Sequence, residues 1–547
     1  MKIPVEKNNE YEMKIDALGS NGEGIGRIDG FTVFVEGALP GEQVRVLIVK
    51  VKKNYGYGKL LEILTPSAER REPLCPVAKQ CGGCQLQHLS YAGELAYKTK
   101  MVQDVLERIG GVRDVTVKPA IGMQEPWRYR NKAQFPVGRG KDGCAIGFYA
   151  KRSHRIVDTE RCFLQHEWND EIIRIVRDFL QEYQIPLYEE ETHTGLVRHI
   201  LTRIGKNSGE IMVCIVLNGK RLPHSDVLVE RLRKIPGMAS VVLNVNREKT
   251  NVILGQKIIP LWGKETITDS IDGISFEISP LSFYQVNPVQ TEILYKKAVE
   301  LAGLEGGETV LDLYCGIGTI SLFFARKAKQ VFGVEIVPEA IADAKRNAER
   351  NGITNAAFAV GAAEEVIPKL YAEKGIKADV VVVDPPRKGC DGKLLETILQ
   401  ISPKKIVYVS CNPATLARDL VTLRAGGYEL QEVQPVDQFP RSVHVETVVL
   451  LSKGEVDSKK IRVEFSLEDM DMSEFQDGAT YPQIKEYVLE HTGLKVSNLY
   501  ISQIKRKCGI EVGKNYNLSK SEDSRQPQCP PEKEKAIREA FKYFGMI

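Results

Sequence analysis

The chain has 547 residues, of which 43% are hydrophobic and 27% are charged, a composition typical of globular proteins. Its length predicts about three or four domains. The net charge of +3 excludes a strong overall positive field, so any nucleic-acid surface must be a local patch. The first residues lack the apolar core of a signal peptide, and no apolar stretch is long enough to span a membrane. We therefore expect a cytoplasmic protein. In such a protein, eleven cysteines suggest metal binding or catalysis more than disulfide bonds.

Residues 12–63 show the pattern of five short strands separated by glycine turns. This predicts a small closed β-barrel, because closure removes the exposed edges of a sheet. Lysines alternate with Tyr55 and Tyr57, a combination suited to the RNA backbone and to stacked bases, although a solvated basic hairpin is the alternative. The stretch resembles a TRAM domain, a small RNA-binding barrel found on RNA-modifying enzymes, and we assign it to residues 1–66.

Four cysteines form a candidate metal site in which three are close in sequence and one is remote. They are Cys75, Cys81, Cys84 and Cys162. A zinc site normally uses two CxxC or CxxH pairs, whereas one compact loop and a distant fourth cysteine better suit a cubane 4Fe–4S cluster. Gly82 and Gly83 let the backbone fold tightly around an inorganic core. We favour the iron–sulfur cluster, with zinc or no metal as the alternatives.

A helical pattern over residues 86–109 and strand-like runs between residues 200 and 245 predict an α+β central domain over residues 67–284. Its segments 127–132 and 147–154 are rich in basic and aromatic residues, which could grip phosphates and stack unpaired bases. A solvated strand face explains the same pattern equally well. This domain is expected to handle the substrate.

Residues 309–322 are typical of a buried strand, a glycine turn and a helix start, and the next strand ends at Glu335. Gly316 and Gly318 allow the backbone to approach a ligand closely. A carboxylate roughly 20 residues after the first strand suits the hydroxyls of a ribose. Ser321 stands where a dinucleotide fingerprint has its third glycine, which disfavours NAD.

A further buried strand leads to Asp384, followed by two prolines, Arg387 and Lys388. Enzymes that methylate exocyclic nitrogens usually have an aromatic residue there, so the basic pair disfavours that reaction and suggests a phosphate-facing loop. Another apolar run stops at Cys411, beside a helix start whose dipole favours a thiolate. Alone, such a cysteine is more often a small core residue, and a strand glutamate such as Glu446 is more often solvated.

Five motifs together make a resemblance specific: Phe-Tyr-Gln-Val-Asn (283–287), Asp-Leu-Tyr-Cys-Gly-Ile-Gly (312–318), Asp-Pro-Pro-Arg-Lys-Gly (384–389), Ser-Cys-Asn-Pro (410–413) and Val-Glu-Thr-Val (445–448). Residues from about 12 to 453 resemble the RNA uracil-5-methyltransferase family, in particular its iron–sulfur branch that acts on 23S ribosomal RNA. The resemblance implies a Rossmann-like α/β methyltransferase domain over residues 285–453.

The resemblance also implies roles for individual residues. It assigns S-adenosyl-L-methionine contacts to Gln285, Tyr314, Glu335 and Asp384, beside the loop glycines Gly316 and Gly318. It makes Cys411 the nucleophile and Glu446 the base, and it gives the cluster to the four cysteines named above. Thr319 departs from the asparagine that some members use at the cofactor, so that contact is not carried over.

This chemistry explains why a thiol and a carboxylate are needed. Carbon 5 of uracil is too weak a nucleophile to take a methyl group directly, but addition of a thiolate to carbon 6 turns the ring into an enolate. A base must then remove the proton from carbon 5 so that the thiol can leave. Target uridines inside helical RNA must also be flipped out.

The sequence thus predicts a monomeric 23S rRNA (uracil-5-)-methyltransferase. A tRNA-directed homologue is the runner-up, and a catalytically inactive iron–sulfur RNA-binding protein is the alternative from a different class. Residues 459–547 lie beyond the family pattern and are predicted to form a helical extension, with helices over 481–491, 497–507 and 532–544. In outline this extension resembles a helix-turn-helix module, although a small protein-binding bundle is equally consistent.

Overall fold

The computed structural model describes residues 3–141, 143–375, 377–453, 481–492, 494, 496–508 and 529–543. The chain divides into two compact units, residues 1–456 and residues 457–547. The first part of the predicted helical extension lies outside the described residues. In the ranges described, we find no helix with the length and apolarity needed to cross a membrane.

The first five strands close a barrel in the order β1-β2-β3-β5-β4, which confirms the barrel predicted from the glycine-separated strands. They are β1 (Glu10–Leu18), β2 (Gly24–Ile28), β3 (Phe31–Glu36), β4 (Gln43–Val51) and β5 (Tyr55–Thr65). Alternate residues point inward and bury an apolar core that includes Ile15, Val33 and Val46. At Gly26 a Cβ atom would lie 2.2 Å from the carbonyl oxygen of Lys14, so the close approach of β1 and β2 requires glycine there.

A seven-stranded sheet forms the centre of the next domain, in the order β12-β11-β10-β9-β6-β7-β8. The elements from the barrel to the end of this domain are α1 (Tyr91–Arg108), β6 (Lys132–Gly140), β7 (Gly143–Tyr149), β8 (Ile156–Asp158), α2 (Trp168–Glu182), β9 (Val197–Ile204), β10 (Ile211–Leu217), α3 (Ser225–Leu232), β11 (Met238–Val245), β12 (Lys257–Gly263), β13 (Ile267–Ile271) and β14 (Ile274–Ile278). Helices α2 and α3 pack against the sheet, and β13 and β14 pair only with each other.

A second seven-stranded sheet follows, in the order β17-β16-β15-β18-β19-β21-β20. Its elements are α4 (Pro288–Ala302), β15 (Thr309–Leu313), α5 (Thr319–Ala325), β16 (Gln330–Glu335), α6 (Pro338–Arg350), β17 (Ala356–Val360), α7 (Ala363–Lys374), β18 (Val380–Val383), α8 (Gly392–Ile401), β19 (Lys405–Ser410), α9 (Pro413–Ala425), β20 (Tyr428–Val436) and β21 (Glu446–Lys453). Strands β15 to β19 run parallel, whereas β21 lies antiparallel between β19 and β20. The alternation of buried strands and helices produces the predicted α/β architecture.

Helix α1 belongs in sequence to the predicted central domain but packs on the second seven-stranded sheet. Ser90 caps its first turn by accepting a hydrogen bond from the amide of Gly93. Val102 and Leu106 are fully buried in the same core as residues of β15, β18 and β19. The apolar stripe of this helix therefore stabilises the second sheet, a long-range contact that helical periodicity does not reveal.

A buried ion-pair network joins α1 to the segment 437–441, which leads into β21. The ammonium of Lys98 lies 2.8 Å from a carboxylate oxygen of Glu94 and 2.5 Å from one of Asp437, and all three side chains are fully buried. The Tyr91 hydroxyl donates to Asp437, and the Arg441 amide donates to Glu94. This network fixes the approach to Glu446, the first residue of β21.

Among the described residues of the second unit, three helices pack around one small core. They are α10 (Tyr481–Thr492), α11 (Asn498–Lys507) and α12 (Pro531–Tyr543). Ile484, Ile501, Ile504 and Phe541 are fully buried in it. The predicted helix end at residue 544 lies outside the described residues.

Replacing Lys98 with methionine should destabilise the protein, because the buried Asp437 carboxylate loses the ammonium that pairs with it and Glu94 is left with the guanidinium of Arg441, at 3.6 Å. Removing one partner of a buried ion pair costs roughly 3–5 kcal/mol of the free energy of unfolding. Chemical denaturation of wild type and variant measures this difference.

Lys100→Met on the same helix is the matched control, since Lys100 is exposed and its ion pair with Asp104 lies on the surface. Its unfolding free energy should stay within about 0.5 kcal/mol of wild type. Equal effects of the two substitutions would contradict the structural role of the Lys98 network.

Candidate active site

The carboxyl ends of the parallel strands in the second sheet meet at one edge, the position where open α/β sheets bind ligands. Five neighbouring strands each bring one chemically active residue to this edge. Glu335 ends β16, Asp312 lies near the end of β15, and Asp384 follows β18. Cys411 follows β19, and Glu446 begins the antiparallel strand β21. The topology therefore brings together sequence-predicted residues that are far apart in the chain.

The loop after β15 forms the floor of a ligand cradle. Tyr314 has φ of 144°, Gly316 has φ of 53° and Gly318, which precedes α5, has φ of 82°. Nothing lies within 4 Å of the position that a Cβ on Gly316 would take. The amide of Gly316 donates to the Glu335 carboxylate at 3.3 Å, and the amide of Val337 donates to it at 3.1 Å. The predicted cofactor residues of this loop and of β16 are thus in direct contact.

Two buried aspartates carry raised pKa values at the centre of this edge. Burial raises the pKa of Asp312 to about 7, against a hydrogen bond from Ser321 that favours the carboxylate. Burial and the charge of Asp312 raise the pKa of Asp384 to about 7. Ser321, in the place of a third fingerprint glycine, thus serves as the hydrogen-bond partner of a buried acid.

Gln285 reaches the same site from the segment before α4. Its side chain hydrogen-bonds to the fully buried Tyr295, whose hydroxyl also lies 3.3 Å from the Thr319 hydroxyl. Burial and the nearby Asp384 raise the pKa of Tyr295. Thr319 therefore takes part in the site through Tyr295.

Cys411 and Glu446 lie next to each other across the β19–β21 ladder. Ser410 pairs with Thr447 in that ladder, so the next step along it brings Cys411 opposite Glu446. Burial raises the pKa of Glu446 to about 8, with a further contribution from the charge of Asp384. A carboxyl group with that pKa can take up and release a proton near neutral pH.

The expectation that the helix dipole makes Cys411 a thiolate is not met by the geometry. Asn412 caps α9 by accepting from the amide of Ala414, and Pro413 opens the helix, as the motif suggests. Burial, followed by the charges of Glu446 and Asp384, nevertheless raises the pKa of Cys411 to about 12. Desolvation and two nearby carboxylates outweigh the helix end, so the resting side chain is a neutral thiol.

Arg387 is the cation at this centre. Its charge lowers the pKa of both Cys411 and Glu446 against the raising effects of burial. Its backbone carbonyl accepts hydrogen bonds from the Asn412 side chain at 3.2 Å and the Thr415 hydroxyl at 3.3 Å. The basic loop predicted to face phosphate therefore also faces the two candidate catalytic residues.

The four candidate cluster cysteines lie together beside the turn between β7 and β8. The amide of Gly82 donates to the Tyr149 carbonyl, and the backbone of Cys81 forms an isolated antiparallel β-bridge with that of Ala150. Burial raises the pKa of Cys84 to about 12, and the thiols of Cys162, Cys81 and Cys75 raise it further. Within the described ranges, no three Cys, His, Asp or Glu side chains are arranged to hold a single metal ion.

The basic and aromatic segment 127–132 is mostly used inside the protein. Arg128 donates to the Cys162 carbonyl at 2.7 Å and pairs with Asp170. Tyr129 is buried with its hydroxyl bonded to the Pro440 carbonyl, and the Arg441 guanidinium stacks on Trp127 at 4.4 Å. The polar groups of Arg128 and Tyr129 thus have partners inside the protein, and the prediction that this segment grips RNA stays a prediction.

Comparisons with known proteins show which family the chain belongs to. The family model described as tRNA (Uracil-5-)-methyltransferase matches residues 249–454, and the TRAM domain model matches residues 4–61. An uncharacterized RNA methyltransferase of Halalkalibacterium halodurans is 57% identical over 451 residues, which cover 82% of this chain and 98% of that protein. The chain belongs to the RNA uracil-5-methyltransferase family.

Other relatives of this uracil-5-methyltransferase lead to the same family. An uncharacterized RNA methyltransferase of Clostridium tetani is 53% identical over 451 residues, 82% of this chain and 98% of its own. The crystal structure of Pyrococcus abyssi tRNA (uracil-54, C5)-methyltransferase in complex with S-adenosyl-L-homocysteine has a TM-score of 0.66. It is 30% identical and covers 81% of this chain and 100% of its own.

Three residues of the methyltransferase site escaped the sequence analysis in part or in full. Asp312 carried a usable signal, since a lone carboxylate in an otherwise apolar strand must be hydrogen-bonded or functional. Tyr295 lies in an ordinary helical pattern and gave no signal. Arg387 was recognised, but its position beside the thiol depends on how two loops fold together.

Glu446→Gln should flatten the pH dependence of stability. In the folded methyltransferase the Glu446 carboxyl holds its proton up to about pH 8, whereas in the unfolded chain it loses it near its ordinary pKa of 4.5. The folded state therefore binds the extra proton in that window, and the free energy of unfolding falls as pH rises through it. Glutamine cannot ionise, so the variant loses part of this fall.

Thermal unfolding midpoints measured from about pH 5 to about pH 9 check the slope. Glu429→Gln on β20 is the control, because Glu429 is exposed. A Glu446→Gln profile parallel to that of wild type would show that the carboxyl is already ionised in the folded protein.

Proposed function

We propose that this protein methylates carbon 5 of a uridine in 23S rRNA, with S-adenosyl-L-methionine as methyl donor. The observation that supports it most is the pairing of Cys411 and Glu446 at adjacent strand ends, beside an acidic ligand cradle. The four grouped cysteines favour the ribosomal branch of the family. The tRNA alternative is supported by the Pyrococcus abyssi neighbour, which acts on uracil 54 of tRNA.

The residues around the cradle suit the methyl donor. The open space at Gly316 admits close backbone approach, and Gly318 and Tyr314 shape the same loop. The Glu335 carboxylate, already oriented by two amides, is placed to accept hydrogen bonds from ribose hydroxyls. Asp384 and Gln285 would complete the contacts from the opposite side of the loop. When bound, S-adenosyl-L-methionine supplies an electrophilic methyl group on a sulfonium.

The chain's own residues would carry out the reaction in three steps. The Cys411 thiol first gives up its proton to solvent, and the thiolate then adds to carbon 6 of the uracil while the electrons of the 5,6 double bond move to form an enolate. Carbon 5 then attacks the sulfonium methyl, which forms the new carbon–carbon bond and breaks the bond to sulfur. The Glu446 carboxylate removes the proton from carbon 5, the double bond re-forms, and the Cys411 thiolate leaves.

Arg387 would make the first step possible. The resting thiol has a raised pKa because it is buried near two carboxylates. The guanidinium of Arg387 is the group at this centre that favours both the thiolate and the ionised Glu446. Protonation of the neighbouring acids also favours the thiolate, because it removes their negative charge.

RNA containing 5-fluorouridine tests the covalent mechanism, since fluorine at carbon 5 cannot be removed as a proton. Wild type should form a stable covalent adduct with a fluorinated 23S rRNA transcript and none with a fluorinated tRNA transcript, as seen on denaturing gels. Cys411→Ala should form no adduct. Glu446→Gln should form an adduct even with ordinary 23S rRNA, because carbon 5 keeps its proton after methyl transfer.

Cys144→Ala is the matched control, since Cys144 is a buried core residue of β7, and it should form the wild-type adduct. An adduct with tRNA alone would replace the ribosomal assignment with the tRNA one. RNA binding without any adduct or methyl transfer would overturn the enzymatic proposal in favour of a catalytically inactive binding protein.

We further propose that the four cysteines hold a 4Fe–4S cluster with a structural role. The four thiols lie close enough to act on each other electrostatically, and a compact three-cysteine loop with a remote fourth cysteine suits a cubane cluster. Methyl transfer consumes no electrons, so the cluster is not needed for redox chemistry. It would fix the loop 75–84 against the turn of β7 and β8.

Protein purified without oxygen should contain iron and acid-labile sulfide in 4Fe–4S proportions and show the broad visible absorbance of such clusters. Cys81→Ala should lose most of this iron, because one of four ligands is missing, while Cys144→Ala should keep it. Zinc in place of iron, or unchanged iron in Cys81→Ala, would contradict the cluster assignment.

A further inference from the structure

A cavity of about 390 Å³ opens in the central domain, and none of the active-site residues lines it. Its volume lies within the range of about 300–1,000 Å³ that is typical of ligand pockets. Five parts of the chain form its walls: the end of β6, the turn between β7 and β8, the segment 188–190, the start of β9 and the segment 250–253. Neither the catalytic proposal nor the cluster proposal uses this cavity.

A β-bulge gives the cavity two consecutive side chains, Arg198 and His199. In a regular strand, neighbouring residues point to opposite faces, so only one of them could line the cavity. The pairing of β9 with β10 skips Arg198, because Val216 lies opposite His199 while Leu217 lies opposite Val197. Bulges of this kind re-aim side chains and are common next to binding sites.

His199 is a buried polar residue of this cavity whose ring has no hydrogen-bond partner among the described residues. Only 8% of the residue is exposed, and neither ring nitrogen has a hydrogen-bond partner in the described part of the chain. Burial, together with the charge of Arg198, lowers its pKa to about 4, so the ring is neutral at physiological pH. A neutral imidazole offers one donor and one acceptor. Both nitrogens have less than 1 Å² of accessible surface, so the ring must turn toward the cavity for a polar ligand to supply the missing hydrogen bonds.

Aromatic rings line two sides of the cavity. Tyr188 lies under the Arg198 guanidinium at 4.5 Å, and its hydroxyl is fixed by His193 at 2.6 Å. On the other side Tyr149 stacks with His154, with ring centroids 5.2 Å apart. Rings held rigid in this way are suitable platforms for a nucleobase, since every base has a π-face to stack.

The charges at the rim match a nucleotide. Arg139 and Arg155 are exposed and form no ion pair with any carboxylate of the described residues, so both are available to a phosphate. Glu189 and Glu190 also line the cavity, and Glu190 pairs with His154. Carboxylates repel phosphate but accept hydrogen bonds from the amino groups of bases.

Strand β9 connects this cavity to the active site. His199 and Arg203 lie on the same face of the strand, four residues or roughly 13 Å apart. The guanidinium of Arg203 donates to the carbonyls of Pro280 and Ser282, in the segment that leads to Gln285. The cavity is therefore a short distance along a rigid strand from the chain that carries a site residue.

We propose that this cavity binds an unpaired nucleotide of the RNA substrate, separate from the uridine that is methylated. Sequence-specific recognition of RNA mostly uses bases that are splayed out of helices, stacked on aromatic rings and hydrogen-bonded at their edges. The cavity offers both kinds of contact, with His199 for the base edge and the tyrosines for its face. This inference rests on the proposed function only in taking RNA as the ligand.

Substitutions in the cavity should weaken RNA binding without slowing methyl transfer on bound RNA. His199→Ala and Tyr188→Ala should each raise the Kd for a 23S rRNA transcript about tenfold, the size of one lost base contact. In methylation assays the KM should rise similarly while kcat stays within about twofold of wild type. Titration calorimetry with AMP, GMP, CMP and UMP should show binding of at least one nucleotide to wild type and none to His199→Ala.

Arg155→Glu keeps the test independent of core packing, because Arg155 is exposed at the rim, and it should also weaken RNA binding. Tyr183→Ala is the matched control: Tyr183 also contacts a histidine, His224, and an arginine, Arg231, but does not line the cavity. Its RNA binding should equal that of wild type.

The binding measurements use the Cys411→Ala background, so their outcome does not depend on catalysis. If the covalent mechanism is wrong, the His199→Ala and Tyr188→Ala substitutions should still weaken RNA binding. Unchanged RNA affinity in both His199→Ala and Tyr188→Ala, or nucleotide binding that both variants keep, would overturn the proposal.

Discussion

The crowding of buried carboxylates at one sheet edge determines the electrostatics of this protein. Asp312, Asp384 and Glu446 are each raised in pKa by burial, and Asp384 and Glu446 are raised further by their neighbours. Arg387 is the cation that acts on this group from the same edge. Such a pocket stabilises positive charge, so it suits a sulfonium donor better than a neutral or anionic one. The same crowding keeps the thiol protonated at rest.

The sequence was sufficient to predict the fold class. It was also sufficient to predict that the candidate catalytic residues lie at one edge of the sheet. Strand ends are marked by motifs such as Ser-Cys-Asn-Pro, and parallel strands place such ends together. The protonation state of Cys411 could not be predicted in this way. The helix start is visible in the sequence, but the two carboxylates beside the thiol come from β18 and β21, and only the folded sheet brings them close.

Contacts from distant segments also decide what the basic and aromatic segments do. The segments around Arg128 and around Tyr149 look alike in composition. Arg128 is hydrogen-bonded inside the protein, whereas Tyr149 lines a cavity. Composition cannot distinguish them, because the difference lies in whether carbonyls and carboxylates from distant segments satisfy the cations. The β7–β8 turn contacts three parts of the protein. Its backbone accepts a hydrogen bond from the cysteine loop, its Tyr149 lines the cavity, and its Lys151 pairs with Glu36 of the barrel.

The position of β21 has a consequence for synthesis of the chain. This strand comes last in the first unit, yet it lies between β19 and β20 and carries Glu446. The network that fixes its approach joins Lys98 to Asp437, which are 339 residues apart. The barrel needs only nearby strands and can fold early during translation, whereas the catalytic edge requires this late pairing. A nascent chain cut short before β21 would contain Cys411 without Glu446, the residue proposed to act as its base.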